Sequence, residues 1–237
     1  MLNFMCIGAQ KAGTTWLYEQ LRADSRIAFP AGKEVHYWDG LRTSQPVAWY
    51  LGLFSDPNRI NGDITPAYSI LEDETVAEIS RVCPSTKVVF ILRNPIERAW
   101  SSALMALSRS EMTVAEASDA WFRDHFQSRG SVLRGDYERT IRTWSRYFPE
   151  GTSFRWFFYD DLASSPARFL REVSEFIGLD GRSDLMDAEL ARRVFAGPGA
   201  EIRASLAAFL VDFYRTKIDS LGGFIGRDLS GWYGAYS

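Results

Sequence analysis

The feature that most constrains the fold is the opening of the chain, where an apolar run leads into a glycine-bearing loop and then a helical pattern. Residues 2–7 are mostly apolar, Gly8 and Gly13 bracket the loop, and apolar side chains recur at helical spacing within residues 14–22. Glycine lets the main chain turn tightly and approach a ligand, and the amides of a helix N-terminus face an anion. The opening therefore predicts a strand, an anion-binding loop and a helix.

Two later apolar runs predict further strands of the same sheet. Residues 87–92 contain five consecutive apolar side chains, and residues 153–159 form another strand candidate that is followed by a helix start at Asp160 or Asp161. A continuous apolar run suits a parallel strand that is buried on both faces. Strands that alternate with helices predict an α/β fold of the P-loop type, in which helices flank a central parallel sheet in three layers. Additional helices are predicted after Pro95 and over residues 135–148, 166–177 and 202–221.

Composition limits the classes of protein that the chain can belong to. Its 237 residues suit one α/β domain, so we expect a single domain over residues 1–237. A net charge of −3 argues against a nucleic-acid partner. No apolar run reaches the roughly 18 residues that span a membrane, and no leader is evident, so a cytoplasmic location is expected. Cys6 and Cys83 are expected to be reduced core thiols, and with His36 and His125 they do not form a zinc-ligand spacing.

The glycine loop differs from the Walker A motif of nucleoside triphosphatases. That motif places a lysine directly after the last glycine, whereas here Thr14 follows Gly13 and Lys11 lies inside the loop. Three interpretations stay open at this point: a P-loop kinase or NTPase, a non-catalytic nucleotide-binding module, and a strand–helix turn that binds nothing.

A second group of polar residues follows the strand predicted over residues 87–92. Arg93 stands at the strand end, and Ser101 lies two helical turns beyond Pro95. Ligands of open parallel sheets bind outside the carboxyl ends of the strands, and an arginine can pair with a phosphate through its planar guanidinium. We therefore expect Arg93 and Ser101 to converge with the glycine loop on one edge, with Arg98 as a solvated neighbour.

These two motifs resemble the donor site of sulfotransferases that use 3′-phosphoadenosine 5′-phosphosulfate (PAPS) and release 3′-phosphoadenosine 5′-phosphate (PAP). The loop Lys11-Ala12-Gly13-Thr14-Thr15-Trp16-Leu17 is similar to their 5′-phosphosulfate loop, and residues 91–99 with Ser101 are similar to their 3′-phosphate site. The resemblance implies that Lys11, Ala12, Gly13, Thr14, Thr15 and Trp16 bind the 5′ side of PAPS, while Arg93 and Ser101 bind the 3′-phosphate.

A third dense segment, Gly32-Lys33-Glu34-Val35-His36-Tyr37-Trp38-Asp39, resembles a stretch of the heparan sulfate glucosaminyl 3-O-sulfotransferases and the related N-sulfotransferase domains. In an extended segment, Glu34 and His36 would point to the same side. The resemblance implies that Glu34 is the general base, that His36 and Asp39 orient the acceptor or support Glu34, and that Lys11 neutralises the leaving group. No metal is required on this reasoning, because the leaving group is already a phosphate.

Two departures from the family pattern concern the acceptor more than the donor. Ile64 stands where the family has a lysine, and residues 195–199 stand where it has a basic loop, for which Arg192 and Arg193 could compensate. Five aromatic residues also lie near the predicted cleft in sequence, and these could line an acceptor pocket: Tyr37, Trp38, Trp49, Tyr50 and Tyr68. Net acidity disfavours a long sulfated polysaccharide, so a hydroxyl or amine of a small glycan or natural product is the expected acceptor.

Overall fold

The computed structural model describes residues 1–180 and 200–236, and its centre is a parallel sheet. The strands are β1 (Leu2–Gly8), β2 (Ile27–Ala28), β3 (Ile60–Ile64), β4 (Lys87–Leu92) and β5 (Phe154–Phe158). They lie in the order β2-β3-β1-β4-β5, and every pair is parallel. Successive strands are thus added on both sides of β1, which places a topological switch point, the usual ligand site of such sheets, at its carboxyl end.

Helices flank this sheet, as the alternating pattern predicts. Within the described residues they are α1 (Thr14–Arg22), α2 (Val47–Leu53), α3 (Asp73–Val82), α4 (Pro95–Arg109), α5 (Asp119–Gln127), α6 (Arg129–Arg134), α7 (Tyr137–Ser145), α8 (Tyr159–Ser164), α9 (Pro166–Phe176), α10 (Ala204–Ile225) and α11 (Gly231–Gly234), with 3-10 turns at Leu41–Thr43 and Pro66–Ile70. The α/β fold with a central parallel sheet is therefore confirmed.

The strands that sequence analysis finds are those with the most apolar cores. Residues 88–92 of β4 and residues 4–7 of β1 have no solvent exposure, in keeping with strands covered on both faces. The sequence pattern misses β2, which has only two residues, and β3, whose sequence Ile-Asn-Gly-Asp-Ile carries polar groups into the interior. Both strands are held by their pairing with neighbours rather than by a periodic signal of their own.

Residue contacts divide the chain into two compact units. The first comprises residues 1–92 and 141–180 and contains the whole sheet, and the second comprises residues 93–140 and 200–236 and is helical. That residues 1–237 form one domain stays a prediction. In the first unit Cys6 and Cys83 are free and buried, as expected, and burial raises the pKa of the Cys6 thiol to about 12.

The second unit corrects the expectation for Arg98. Its side chain is fully buried, and Nη2 donates to the carbonyl oxygen and hydroxyl of Ser131 at 2.9 and 3.2 Å. Arg98 lies on the inner face of α4, so it packs between helices instead of facing solvent. Its Nε and Nη1 atoms have no hydrogen-bond partner among the described residues.

Part of the chain lies outside the residues that the structure describes. Residues 195–199, which stand where the family has a basic loop, and the possible substitutes Arg192 and Arg193 lie outside the described residues. Over residues 1–180 and 200–236, no helix is long and apolar enough to cross a membrane. Across the same ranges, no three His, Cys, Asp or Glu side chains are grouped so that they could hold a metal ion.

Candidate active site

The glycine loop continues directly from the carboxyl end of β1 and is shaped by left-handed main-chain conformations. Gly8, Lys11 and Gly13 have φ angles of +147°, +70° and +84°. The amide of Ala9 donates to the carbonyl of Ile91 at 2.9 Å, which ties the loop to the end of β4. A non-glycine residue in the left-handed region, such as Lys11, is uncommon and is typical of functional sites.

Gly13 is required at its position for two reasons. Besides its positive φ, a Cβ atom there would lie 2.5 Å from Cδ2 of Leu162, closer than real side chains approach. As the N-cap of α1 it also has no side chain to occupy the first-turn amides. Gly13 therefore lets the loop pack against Leu162 and leaves the first-turn amides of α1 available to an anion.

The two threonines that open α1 differ in exposure. Thr14 is 4% exposed, whereas the side chain of Thr15 faces solvent. Trp16 is buried, and its ring packs edge-on against Phe169 at 6.2 Å between centroids. The donor-binding prediction for Trp16 therefore narrows to its main-chain amide. Ala12 is fully buried, and its amide donates to the carbonyl of Ala9, so it shapes the loop.

Glu34, His36 and Asp39 lie together, as the sequence predicts. His36 Nδ1 is 2.8 Å from Oδ2 of Asp39, and His36 Nε2 is 3.3 Å from Oε2 of Glu34. The ammonium group of Lys33 contacts Oε1 of Glu34. The carboxylate of Glu34 thus lies between the ammonium group of Lys33 and the imidazole of His36, and that imidazole bridges two carboxylates.

This arrangement shifts both pKa values. Burial alone would raise the pKa of Glu34, but its contacts with Lys33 and then His36 outweigh that effect and leave the pKa below its ordinary value. Burial alone would lower the pKa of His36, but Asp39 and then Glu34 reverse this and raise it. Glu34 is therefore ionised at neutral pH and can accept a proton, while His36 keeps its proton to a higher pH than an ordinary histidine.

The expectation that residues 34–36 are extended is wrong. Glu34 and His36 have φ angles of +66° and +54°, and the segment has no regular secondary structure. Distant residues impose this conformation, since the amide of Glu34 donates to the carbonyl of Ile64 at 3.0 Å and the amide of Tyr37 donates to the hydroxyl of Tyr68 at 3.0 Å. Glu34 and His36 meet because the chain coils, and not because a strand alternates.

Sequence reasoning missed a buried carboxylate beneath this segment. Asp63 on β3 is fully buried and accepts hydrogen bonds from Tyr50 at 2.8 Å and from Thr65 at 2.7 Å. The hydroxyl of Tyr68 also lies close enough to lower the pKa of Asp63. Burial raises the pKa of Asp63 above its ordinary value, although the hydroxyl donors partly offset this. An acidic residue within a strand next to a Thr-Pro turn is the signal that could have drawn attention to it.

Most of the aromatic residues expected to line an acceptor pocket are instead core residues. Tyr37, Trp38, Tyr50 and Tyr68 are between 0 and 3% exposed, and the rings of Tyr37 and Tyr50 stack at 4.7 Å. Only Trp49 within this group is substantially exposed, at 38%. Residues 32–39 have no regular secondary structure, so the segment is packed in place by the large rings of Tyr37 and Trp38 against Tyr50.

Arg93 and Ser101 belong to the second unit. Nε and Nη2 of Arg93 lie 3.1 and 3.0 Å from Oε2 of Glu97, which is four residues later in the first turn of α4. Ser101 lies on the same helix as Glu97 and is partly exposed. Arg93 thus has an acidic partner on α4. The convergence of these two residues with the glycine loop stays a prediction.

Comparison with known proteins agrees with the sequence motifs. A model of the sulfotransferase domain family matches residues 3–197. Heparan sulfate glucosamine 3-O-sulfotransferase 6 of Mus musculus is 31% identical over 183 residues, which are 74% of this chain and 52% of that protein. Bifunctional heparan sulfate N-deacetylase/N-sulfotransferase 4 of Mus musculus is 26% identical over 196 residues, 75% of this chain and 22% of the relative. The chain thus spans about half or less of the length of these curated relatives.

Solved structures show the same fold. A sulfotransferase from Alicyclobacillus acidocaldarius superposes with a TM-score of 0.75 at 23% identity and covers 98% of both chains. A mouse sulfotransferase in complex with PAP superposes with a TM-score of 0.53 at 18% identity, covering 81% of this chain and 64% of that one. Because the family model spans most of the sequence and both donor motifs fall within it, this chain belongs to the sulfotransferase domain family.

Proposed function

We propose that this protein transfers a sulfuryl group from PAPS to a hydroxyl or amine of a small glycan or natural product, with Glu34 as the general base. The observation that carries the proposal is the pairing of Glu34 with Lys33 and His36, which keeps its carboxylate ionised, in a chain of the sulfotransferase family. A base must be deprotonated before it can accept a proton from the acceptor.

The donor would be held mainly by the glycine loop. Lys11, Ala12, Gly13, Thr14, Thr15 and Trp16 supply a charge, hydroxyls and main-chain amides suited to a phosphosulfate, and no side chain caps the first-turn amides of α1. Arg93 and Ser101 are the proposed ligands of the 3′-phosphate, with Arg93 exchanging Glu97 for that anion.

The transfer balances without another reactant. The acceptor oxygen or nitrogen forms a bond to sulfur and gives its proton to Glu34, while the bond between sulfur and the bridging oxygen of PAPS breaks. The electron pair of that bond stays on the phosphate of PAP, where Lys11 offsets the negative charge. His36, held by Asp39 at 2.8 Å, orients the Glu34 carboxylate. The leaving group is itself a phosphate, so no metal is invoked, and EDTA should leave the rate unchanged.

Calorimetry with PAP, and separately with ATP and Mg²⁺, tests the donor class. We expect PAP to bind and ATP with Mg²⁺ to bind much more weakly; the reverse preference would replace this proposal with a P-loop kinase or NTPase. Transfer of ³⁵S from labelled PAPS to a panel of glycans, phenols, alcohols and amines then separates an enzyme from a nucleotide-binding module. A cytoplasmic location is part of the proposal, and it suits the two free thiols.

A further inference from the structure

The segment that carries Glu34 needs an external support. Glu34 and His36 both adopt left-handed conformations, which L-residues with side chains avoid. Such conformations persist only where the surroundings fix them. The support must therefore come from groups that contact the main chain of this segment.

Tyr68 provides a contact directly after His36. Its phenolic oxygen accepts the amide of Tyr37 at 3.0 Å. Tyr68 is fully buried and lies in the 3-10 turn that follows β3, so its ring cannot move aside to release this amide. One rigid oxygen atom thus holds the peptide group that directly follows His36.

Asp63 sets the direction in which Tyr68 acts. An ionised carboxylate has no hydrogen to give, so Asp63 attracts the hydroxyl hydrogen of Tyr68. The lone pairs of the Tyr68 oxygen then remain for the amide of Tyr37. A hydroxyl hydrogen directed at that amide would repel it instead.

We propose that Tyr68, oriented by Asp63, is a positioning residue for the transfer reaction, because it holds the main chain that carries Glu34 and His36. The inference rests on the proposed function, in which Glu34 is the base. Tyr68 itself contacts neither acceptor nor donor in this proposal, and acts through the amide of Tyr37.

The chain offers a matched control. Tyr50 also donates its hydroxyl to Asp63, at 2.8 Å, and is also fully buried, but among the described contacts its oxygen accepts no amide of residues 33–39. Tyr68→Phe and Tyr50→Phe therefore each remove one buried hydroxyl from the same carboxylate. They differ because only Tyr68→Phe also removes a hydrogen-bond acceptor from the main chain of residues 33–39.

Hydrogen exchange of individual amides in the full chain tests the support. In Tyr68→Phe the amide of Tyr37 should exchange about tenfold faster than in Tyr50→Phe, the factor expected for losing one buried hydrogen bond. Asp63→Asn should have a similar effect, and adding Tyr68→Phe to it should change little more, since the two residues act as one unit. Equal exchange in Tyr68→Phe and Tyr50→Phe would overturn the proposal.

Kinetics with labelled PAPS tests the link to catalysis. Tyr68→Phe should lower kcat by about 10-fold to 100-fold, the cost of a small misplacement of a catalytic group, with KM for PAPS unchanged. Tyr50→Phe should keep kcat within about threefold, although both variants lose similar thermal stability. Equal kcat values would reduce Tyr68 to a structural role and sink the inference. If the parent protein binds PAP but transfers to no acceptor, the proposed function fails, the link to transfer falls with it, and exchange still shows whether Tyr68 holds the segment.

Discussion

The glycine loop of residues 8–17 and the base segment of residues 32–39 carry the two halves of the proposed chemistry, but they are built in different ways. The loop joins β1 to α1, and glycines in its own sequence permit its turns. The base segment has no regular structure, and residues some thirty positions later fix its turns through Ile64 and Tyr68. The loop is locally encoded, whereas the base segment is shaped by tertiary contacts.

This difference predicts two kinds of sensitivity. In the loop, a change at a glycine alters the conformation directly, because no other residue adopts the same φ without strain. In the base segment, a substitution at a residue that never touches a substrate can also alter the conformation. Variants of the two regions should therefore separate donor binding from the rate of transfer.

The largest expected effect is that of Glu34→Gln. This variant keeps the shape of the side chain but cannot take a proton, so transfer should fall by about 10²-fold to 10⁴-fold, the usual contribution of a general base. PAP binding should be unchanged in calorimetry, because the loop is intact. Glu74→Gln on the exposed face of α3 is the control, with both properties expected to match the parent. A full transfer rate in Glu34→Gln would remove Glu34 from its assigned role.

The same contrast explains what sequence analysis could and could not predict. β1, β4 and β5 were found because their apolar runs are long, and the glycine loop because Gly8 and Gly13 flank a recognisable motif. Glu34, His36 and Asp39 do lie together, although the extended segment from which sequence analysis placed Glu34 and His36 on one side is not formed.

What failed depends on contacts between distant residues. The coiled conformation at Glu34 requires Ile64 and Tyr68, and no local pattern indicates either partner. Asp63 escaped notice because a fully buried carboxylate is rare and contradicts the apolar pattern of a buried strand. Arg98 was expected at the surface for the same reason, since its burial depends on Ser131 across a helix packing.

The next effect in size is expected at Gly13 and tests the local character of the loop. Gly13→Ala places a Cβ 2.5 Å from Leu162 at a φ of +84°, so we expect PAP affinity to fall at least about tenfold and stability to fall by about 1–3 kcal/mol. Calorimetry and thermal denaturation measure the two losses. Gly52→Ala is the control, because no atom lies within 4 Å of its added Cβ. In that helix position alanine should raise stability by up to about 1 kcal/mol and leave PAP binding unaltered. Unchanged PAP affinity in Gly13→Ala would show that the loop does not hold the donor closely.

The smallest expected effect is a shift of the pH profile in Lys33→Met, and it tests how the base segment tunes Glu34. The contact with Lys33 is the largest of the influences that lower the pKa of Glu34, so its loss should let that pKa climb toward the ordinary value. Transfer requires the ionised carboxylate, and the acid limb of the kcat profile should therefore move to higher pH. On the plateau, where Glu34 is ionised in both proteins, the rate should hold or rise slightly, because a base of higher pKa accepts a proton more readily. Lys87→Met removes a lysine that bonds to the carbonyl of Thr152 and should leave the limb where it is. A limb that stays in place or moves to lower pH in Lys33→Met would mean that Glu34 is not the group whose ionisation governs transfer.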